Sequence, residues 1–178
     1  MKILFVYPSW TGDYGILAHF ARRAGIFPPL NLALLAAICE REGYEAEIID
    51  GEAEGLHIDK LVERSLLTNP DIIAVTGMSP FYHKTVEFVN KLKKKANIPA
   101  LIGGQHFTIV KEEAFDDCFD FGIVGEAEYA LPQFLEKWKN GKDYTKLQGL
   151  VYRDKNNNIC ENGTAEAFNE TLDNLPLP

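Results

Sequence analysis

Three absences narrow the kinds of protein that this sequence can encode. No apolar run approaches the about 20 residues that a membrane-spanning helix needs, so we predict no membrane association. The N-terminal segment, residues 1–7, is too short for a signal peptide, and polar residues follow it too closely. The 18 Lys and Arg residues are outnumbered by 26 Asp and Glu residues. Without a broad basic surface, nucleic-acid binding is not expected either.

Cysteine is also scarce, and its placement is informative. The three cysteines, Cys39, Cys118 and Cys160, are far apart and lack the close spacing of metal ligands. An odd, scattered set argues against a disulfide framework and favours a reducing compartment. We therefore predict a cytoplasmic protein whose own side chains hold no metal ion.

Several common site motifs are missing. The sequence has no Gly-x-x-x-x-Gly-Lys phosphate loop, no Gly-x-Gly-x-x-Gly after its first strand and no Gly-x-Ser-x-Gly elbow. Thr76 stands where a receiver-type signalling domain needs an aspartate. Thr11-Gly12 matches only weakly the hydroxyl- and Gly-rich phosphate loop of a flavodoxin. These absences disfavour nucleotide-dependent, hydrolytic and receiver functions.

The sequence does contain a regular alternation of apolar strands and amphipathic helices. Its 178 residues, 46% of them apolar, are enough to build a core without disulfides or metal. The strands are predicted at 2–7, 45–50, 72–76, 100–102 and 119–124. The helices are predicted at about 28–43, 57–69, 81–96, 109–115 and 131–138. Such alternation predicts an α/β fold: a flavodoxin-like (Rossmann-like), doubly wound, five-stranded parallel sheet in the order 2-1-3-4-5.

The pattern changes after Gly141. Residues 149–160 have an Asn-rich centre between two short apolar segments, which predicts a β-hairpin. The Pro-punctuated tail, 172–178, has the composition of a linker. We therefore divide the chain into a Rossmann-like domain, 1–141, and a hairpin with linker, 142–178.

The carboxyl ends of the predicted strands offer a ligand site. In open α/β sheets, ligands bind outside these ends. The small and polar residues at 76–79 and 103–106 predict a crevice between strands three and four, although such loops also need Gly and Ser simply to turn. His106 is predicted either to contact the ligand or to serve as a hydrogen-bonding residue. The irregular segment 8–27 is long enough to be a functional loop.

Several short elements, in order along the chain, resemble the N-terminal cobalamin-binding domain of cobalamin-dependent radical S-adenosylmethionine (SAM) enzymes. Pro28-Pro29 leads into an apolar helix, and Pro70-Asp71 leads into a buried strand. The other matching elements are 43–50, the Gly-Gly-x-His-x-Thr element at 103–108, the Gly-Glu-x-Glu element at 125–128, and the tail at 172–178. Each element is weak alone, but their common order and spacing make the resemblance specific.

The resemblance implies a corrin ring over the carboxyl edge of the sheet, with the nucleotide tail of cobalamin in the crevice. It implies that Gly104→Val abolishes cobalamin uptake without unfolding the domain. The residues implied as cofactor-binding are Ser9, Thr76, Met78, Ser79, Gly103, Gly104, Gln105, His106, Gly125 and Glu126.

Two departures from related patterns refine this expectation. The chain lacks the Asp-x-His-x-x-Gly motif whose His binds cobalt from below, and His19 stands in the right loop but in the wrong context. We therefore predict base-off cobalamin without a His ligand. The chain also lacks the Cys-x-x-x-Cys-x-x-Cys triplet that holds a [4Fe–4S] cluster. The cluster and SAM would then belong to a radical SAM domain in the same natural chain.

The resemblance allows two interpretations of the chain, a fragment cut at a domain boundary and a stand-alone carrier, and the Pro-rich tail favours the fragment. Without the cluster-binding cysteines, the chain itself is not predicted to carry out the radical step. The whole enzyme would be of the methyltransferase or cyclase class. The alternative is a flavodoxin-like interaction or sensory module that binds no corrinoid, and a third possibility is a flavin-binding domain. A crevice filled by Phe107, Tyr82 or Trp10 would favour the alternative.

Overall fold

The computed structural model describes residues 1–10, 27–167 and 171–178. The expectations for His19 and for the phosphate-loop-like Thr11-Gly12 pair concern residues outside these ranges.

Within these ranges, seven strands form one sheet in the order β2-β1-β3-β4-β5-β6-β7. The strands β1 to β5 are parallel, and β6 and β7 continue the sheet antiparallel to their neighbours. The predicted order 2-1-3-4-5 is confirmed, and the predicted hairpin extends the same sheet. The strands are β1 Lys2–Tyr7, β2 Glu45–Asp50, β3 Ile72–Thr76, β4 Ala100–Gly103, β5 Phe121–Ile123, β6 Leu150–Arg153 and β7 Ile159–Glu161.

Five α-helices in the described ranges cover both faces of the sheet. They are α1 Leu30–Arg41, α2 Ile58–Leu67, α3 Tyr82–Lys93, α4 Gln105–Val110 and α5 Ala127–Lys139. One core lies between the sheet and α1 and α5, and the other lies between the sheet and α2, α3 and α4. Residues 3–6 of β1 and 72–75 of β3 are all apolar and buried, because both faces of these strands are covered. No helix within the described residues has the length and apolar character needed to cross a bilayer.

The helix after β4 begins earlier than the sequence pattern indicates. The prediction placed it at about 109–115, but α4 starts at Gln105, directly after Gly104, and a 3₁₀ turn at Lys111–Ala114 follows it. The sequence does not indicate a helix start at Gln105, because α4 contains β-branched residues and has no side-chain cap. Gly104, with φ of +94°, makes the sharp turn instead. As a result, Gln105 and His106 belong to the first turn of a helix rather than to a loop.

The C-terminal hairpin shares a core with the rest of the chain. Leu147, Leu150 and Ala165 are buried in the same cluster as Phe121 and Phe134. The predicted boundary at 141/142 therefore separates segments that share one sheet and one core. The division into two functional parts stays a prediction.

The burial of the cysteines predicts their reactivity. Burial, followed by the charges of Glu42 and Glu40, raises the pKa of the Cys39 thiol to about 12. Burial also raises the pKa of Cys118, whereas Cys160 is partly exposed. A raised pKa keeps a thiol protonated, and only the thiolate is nucleophilic.

We expect one of the three thiols, Cys160, to react rapidly with an aromatic disulfide reagent at about pH 8. The other two should react only after denaturation. The absorbance of the released aromatic thiol counts the modified cysteines, and Cys160→Ser should remove the fast phase. Rapid modification of two or three thiols in the folded protein would contradict the described packing.

Candidate functional site

The parallel register aligns the carboxyl ends of the central strands along one edge. Tyr7 pairs with Asp50, and Thr76 pairs with Gly103. Two hollows open at this edge. One is a crevice between α1 and α5, on one face of the sheet. The other is a depression above the ends of β1 and β3 and the first turn of α4.

The crevice has a volume of about 410 Å³ and spans β3, β4 and β5. Its polar lining residues lie at strand ends and near helix starts, so the polar groups surround the opening and the interior is apolar. The apolar lining residues are Phe5, Leu32, Leu35, Ala74, Val75, Leu101, Ile123, Ala127 and Leu131. The polar ones are Asn31, Thr76, Gln105, Thr108, Glu126 and Glu128.

Gly103 and Gly104 have different structural roles. A Cβ on Gly103 would have Ile123 O, at 3.8 Å, as its nearest neighbour, so the space beside this residue is open. A Cβ on Gly104 would lie 2.2 Å from Oγ1 of Thr76, at a φ of +94°. Gly104 is therefore required by the fold itself. This geometry contradicts the expectation that Gly104→Val leaves the domain folded.

Gly125 and Glu126 border the crevice where β5 leads into α5. The Gly125 N–H donates a hydrogen bond of 3.0 Å to Oγ1 of Thr108. A Cβ on Gly125 would lie 2.8 Å from Cγ2 of Thr164, so this glycine also allows the segment after the hairpin to pack closely. Glu126 is exposed and occupies the position before the first turn of α5.

The depression has a volume of about 580 Å³ and brings together Met78, Ser79, Gln105 and His106. Nδ1 of His106 lies 3.0 Å from Oγ of Ser79, and the imidazole ring lies 4.3 Å from the ring of Tyr82, between centroids. His106 thus has the hydrogen-bonding role that the sequence allowed, and it also lines an open hollow.

Two phenols near the depression are held in their neutral form. Burial, followed by the charges of Asp50 and Glu52, raises the pKa of Tyr7. Burial raises the pKa of Tyr82 as well, and its O–H donates to the backbone oxygen of Ala114. Both groups therefore remain protonated at neutral pH.

Ser9 has a contact that the sequence did not predict. Its hydroxyl donates a hydrogen bond of 3.1 Å to Oε2 of Glu52, which is 2% exposed. The same oxygen accepts a hydrogen bond of 2.8 Å from the Trp10 N–H. Ser9 is not among the described residues that line the crevice or the depression. Its contact with the carboxylate instead fixes the chain where it leaves β1.

The crevice also contains residues that the predicted site omitted. Asn31 and Leu32 come from the first turn of α1, and Glu128 and Leu131 come from α5. Glu128 ends the Gly-Glu-x-Glu element that carried the resemblance, and Asn31 follows the Pro28-Pro29 pair, but only the topology shows that α1 and α5 enclose one hollow. Within the described structure, Oε2 of Glu128 is buried and has no hydrogen-bond partner.

The crevice is not filled by the three aromatic residues that would favour a non-binding module. Phe107 is fully buried on the other face of the sheet, in the core that contains Phe115. Tyr82 packs against His106, and Trp10 stacks on Phe81 with 4.6 Å between ring centroids. None of the three belongs to the described lining of the crevice.

A family profile described as the B12 binding domain matches residues 16–135. The chain belongs to the B12-binding domain family. An uncharacterized methyltransferase of Pyrococcus horikoshii is 28% identical over 182 residues, which cover 100% of this chain and 38% of that protein.

Solved structures share the fold of this B12-binding domain. The radical SAM methyltransferase TsrM of Kitasatospora setae, with cobalamin and a [4Fe–4S] cluster bound, superposes with a TM-score of 0.75 at 17% identity, over 96% of this chain and 30% of that one. The cobalamin-dependent radical SAM enzyme OxsB, with aqua-cobalamin and SAM bound, superposes with a TM-score of 0.76 at 16% identity, over 99% and 24%. The chain thus spans 24–38% of the length of the three proteins.

The residues of the two hollows fit cobalamin. An apolar crevice with a polar opening suits a flat heteroaromatic base that carries a sugar, and Gly103 leaves space beside it. A corrin binds cobalt through its own ring nitrogens, so the protein need not supply a ligand cluster. The described residues contain no group of three or more His, Cys, Asp or Glu side chains placed to hold a metal ion.

The different roles of the paired glycines predict different effects on stability. Gly104 has φ of +94° and ψ of 179°, a region that is essentially restricted to glycine. We expect Gly104→Ala to lower the free energy of unfolding by about 1–3 kcal/mol without any ligand present. Gly103→Ala is the matched control and should change it by less than about 1 kcal/mol. Urea unfolding measures both, and equal effects would contradict the assignment.

Proposed function

We propose that this chain binds cobalamin in the base-off form at the carboxyl edge of its sheet. The nucleotide tail occupies the crevice, and the corrin lies over the depression. The open apolar crevice beside Gly103 carries the proposal, together with membership of the B12-binding domain family. Of the predicted cofactor contacts, Thr76, Gly103, Gly104, Gln105, Gly125 and Glu126 line the crevice. Met78, Ser79 and His106 line the depression.

The interior of the crevice suits the base at the end of the tail. Its walls come from side chains that remain nearly inaccessible to solvent, among them Phe5, Leu101 and Leu131. An aromatic group that buries about 150–250 Å² gains about 4–6 kcal/mol at about 25 cal/mol per Å², before ordering costs. Such a gain would favour a position of the base in the crevice.

His106 is assigned to hydrogen bonding rather than to cobalt. The Ser79 hydroxyl occupies its Nδ1 side, and the Tyr82 ring supports one face of the imidazole. His106 stands outside any Asp-x-His-x-x-Gly motif, whose His binds cobalt from below, and the absence of this motif supports a base-off form without a His ligand.

We propose that a radical SAM domain belongs to the same natural chain. The relatives and structural neighbours are longer proteins, and TsrM and OxsB are radical SAM enzymes. The [4Fe–4S] cluster and SAM belong to that domain. When bound, cobalamin supplies the cobalt chemistry of a methyltransferase or cyclase, and the residues of this chain hold and orient the cofactor.

A titration of the purified chain with hydroxocobalamin tests the proposal. We expect cobalamin to remain bound after desalting and to show a base-off absorption spectrum. Gly103→Leu places an apolar side chain where the base would lie, so the Kd should rise at least about tenfold, or about 1.4 kcal/mol.

Gly103→Ala is the matched control, because a single methyl group leaves most of the crevice open and should leave the Kd nearly unchanged. Urea unfolding should show that both variants remain folded. Failure of the parent chain to retain cobalamin, or unaltered binding by Gly103→Leu, contradicts the proposal. A His-ligated spectrum that His19→Ala abolishes contradicts the prediction that no protein histidine binds cobalt.

A further inference from the structure

The segment that follows β7 lies between the end of one strand and the start of another. We call this segment, residues 162–165, the strap. Ala165 forms an isolated parallel bridge with Gly125, two residues after β5. The Gly149 N–H, directly before β6, donates a hydrogen bond of 3.2 Å to Asn162 O. The strap therefore connects the chain that leaves β5 with the chain that enters β6.

Two glycines leave the space that the strap occupies. A Cβ on Gly149 would lie 2.5 Å from the backbone nitrogen of Ala165, and a Cβ on Gly125 would lie 3.0 Å from the same atom. Both glycines have positive φ, and Ala165 is buried between them. Because these backbones are in direct contact, a displaced strap would also displace Gly125.

The strap supports one wall of the crevice from behind. Gly125, Glu126 and Ala127 form the part of the lining that leads from β5 into α5. None of the strap residues belongs to the described lining of the crevice. On its other side Gly125 is held by Thr108, whose Oγ1 accepts a hydrogen bond of 3.0 Å from the Gly125 N–H. This wall is thus held between α4 and the strap.

One side chain anchors the strap. Nδ2 of Asn162 donates hydrogen bonds of 2.7 Å to Thr145 O and 2.9 Å to Leu147 O. A side-chain amide has two N–H donors, so both are used. The backbone N–H of Asn162 also donates to Leu150 O, at 3.0 Å. Asn162 therefore fixes the start of the strap to the loop that precedes β6.

We propose that Asn162 is a positioning residue for the crevice. Its amide fastens the strap, and the strap holds the wall around Gly125 in the open arrangement that the nucleotide tail requires. Without the anchor this wall would be less ordered, and binding would then include the free-energy cost of ordering it. The effect on corrinoid binding rests on the proposed function, whereas the effect on the wall itself does not.

Hydrogen exchange of the unliganded chain tests the effect on the wall. Asn162→Asp keeps the shape of the side chain but places carboxylate oxygens against two carbonyl oxygens. Mass spectrometry should show faster exchange in peptides that cover 123–131 and unchanged exchange in α3, on the opposite face of the sheet. Asn156→Asp is the matched control, because it adds the same charge at an exposed position between β6 and β7.

A second pair of variants displaces the strap without altering its anchor. Gly149→Ala places a methyl group against Ala165, so it should also accelerate exchange in 123–131. Gly43→Ala is the matched control, because Gly43 has the same φ of +79° but no atom within 4 Å of its Cβ position. The two variants therefore have the same unfavourable φ, and Gly149→Ala adds the contact with the strap.

Two corrinoids test the consequence for binding. Hydroxocobalamin carries the nucleotide tail, and aquacobinamide lacks it. Asn162→Asp and Gly149→Ala should each raise the Kd for hydroxocobalamin about 3- to 10-fold and leave the Kd for aquacobinamide unchanged. The controls, Asn156→Asp and Gly43→Ala, should change neither value.

Unchanged exchange in 123–131 in both test variants would overturn the inference, and so would equal acceleration in α3 or equal weakening of both corrinoids. These results would leave the proposed function intact. If the unsubstituted chain binds neither corrinoid, the proposed function fails, and the exchange measurement alone decides whether the strap holds this wall.

Discussion

The close approach of Thr76 and Gly104 determines the geometry of the whole carboxyl edge. Thr76 ends β3 as a buried residue, and its carbonyl oxygen accepts a hydrogen bond of 3.0 Å from the Thr85 hydroxyl. Gly104 lies against the Thr76 hydroxyl in a conformation that only glycine adopts readily. This contact turns the chain directly from β4 into α4. It therefore sets the positions of Gln105 and His106 around the two hollows.

The two faces of the sheet differ in how densely they are packed. On one face the packing is dense, since a Cβ on Gly122 would lie only 2.5 Å from the ring of Phe107. On the other face α1 and α5 stand far enough apart to leave a crevice of about 410 Å³ beside the same strands. The dense face holds the strand ends in place. The crevice is therefore open without any ligand, which would limit the ordering cost of the proposed binding.

The C-terminal segment is connected to the site through the hairpin. The Ala165 N–H donates a hydrogen bond of 2.7 Å to Val124 O, and Gly125 pairs with Ala165 in an isolated bridge. The chain that follows the hairpin thus passes beside the start of α5, where Glu126 and Glu128 border the crevice. A displacement of this segment would therefore shift the residues that form this wall of the crevice.

The sequence alone determined the strand order and the hairpin, because apolar strands alternate regularly with amphipathic helices and that alternation permits few topologies. Its assignment of the ligand site to the carboxyl edge stays a prediction. It also identified Gly103 and Gly104, but it could not separate their roles, which depend on the distance to Thr76. It included Ser9, whose hydroxyl the tertiary structure directs to Glu52. Only the tertiary structure placed Glu128 in the crevice, because the facing of α1 and α5 arises from packing between residues about 100 positions apart, which local sequence patterns do not encode.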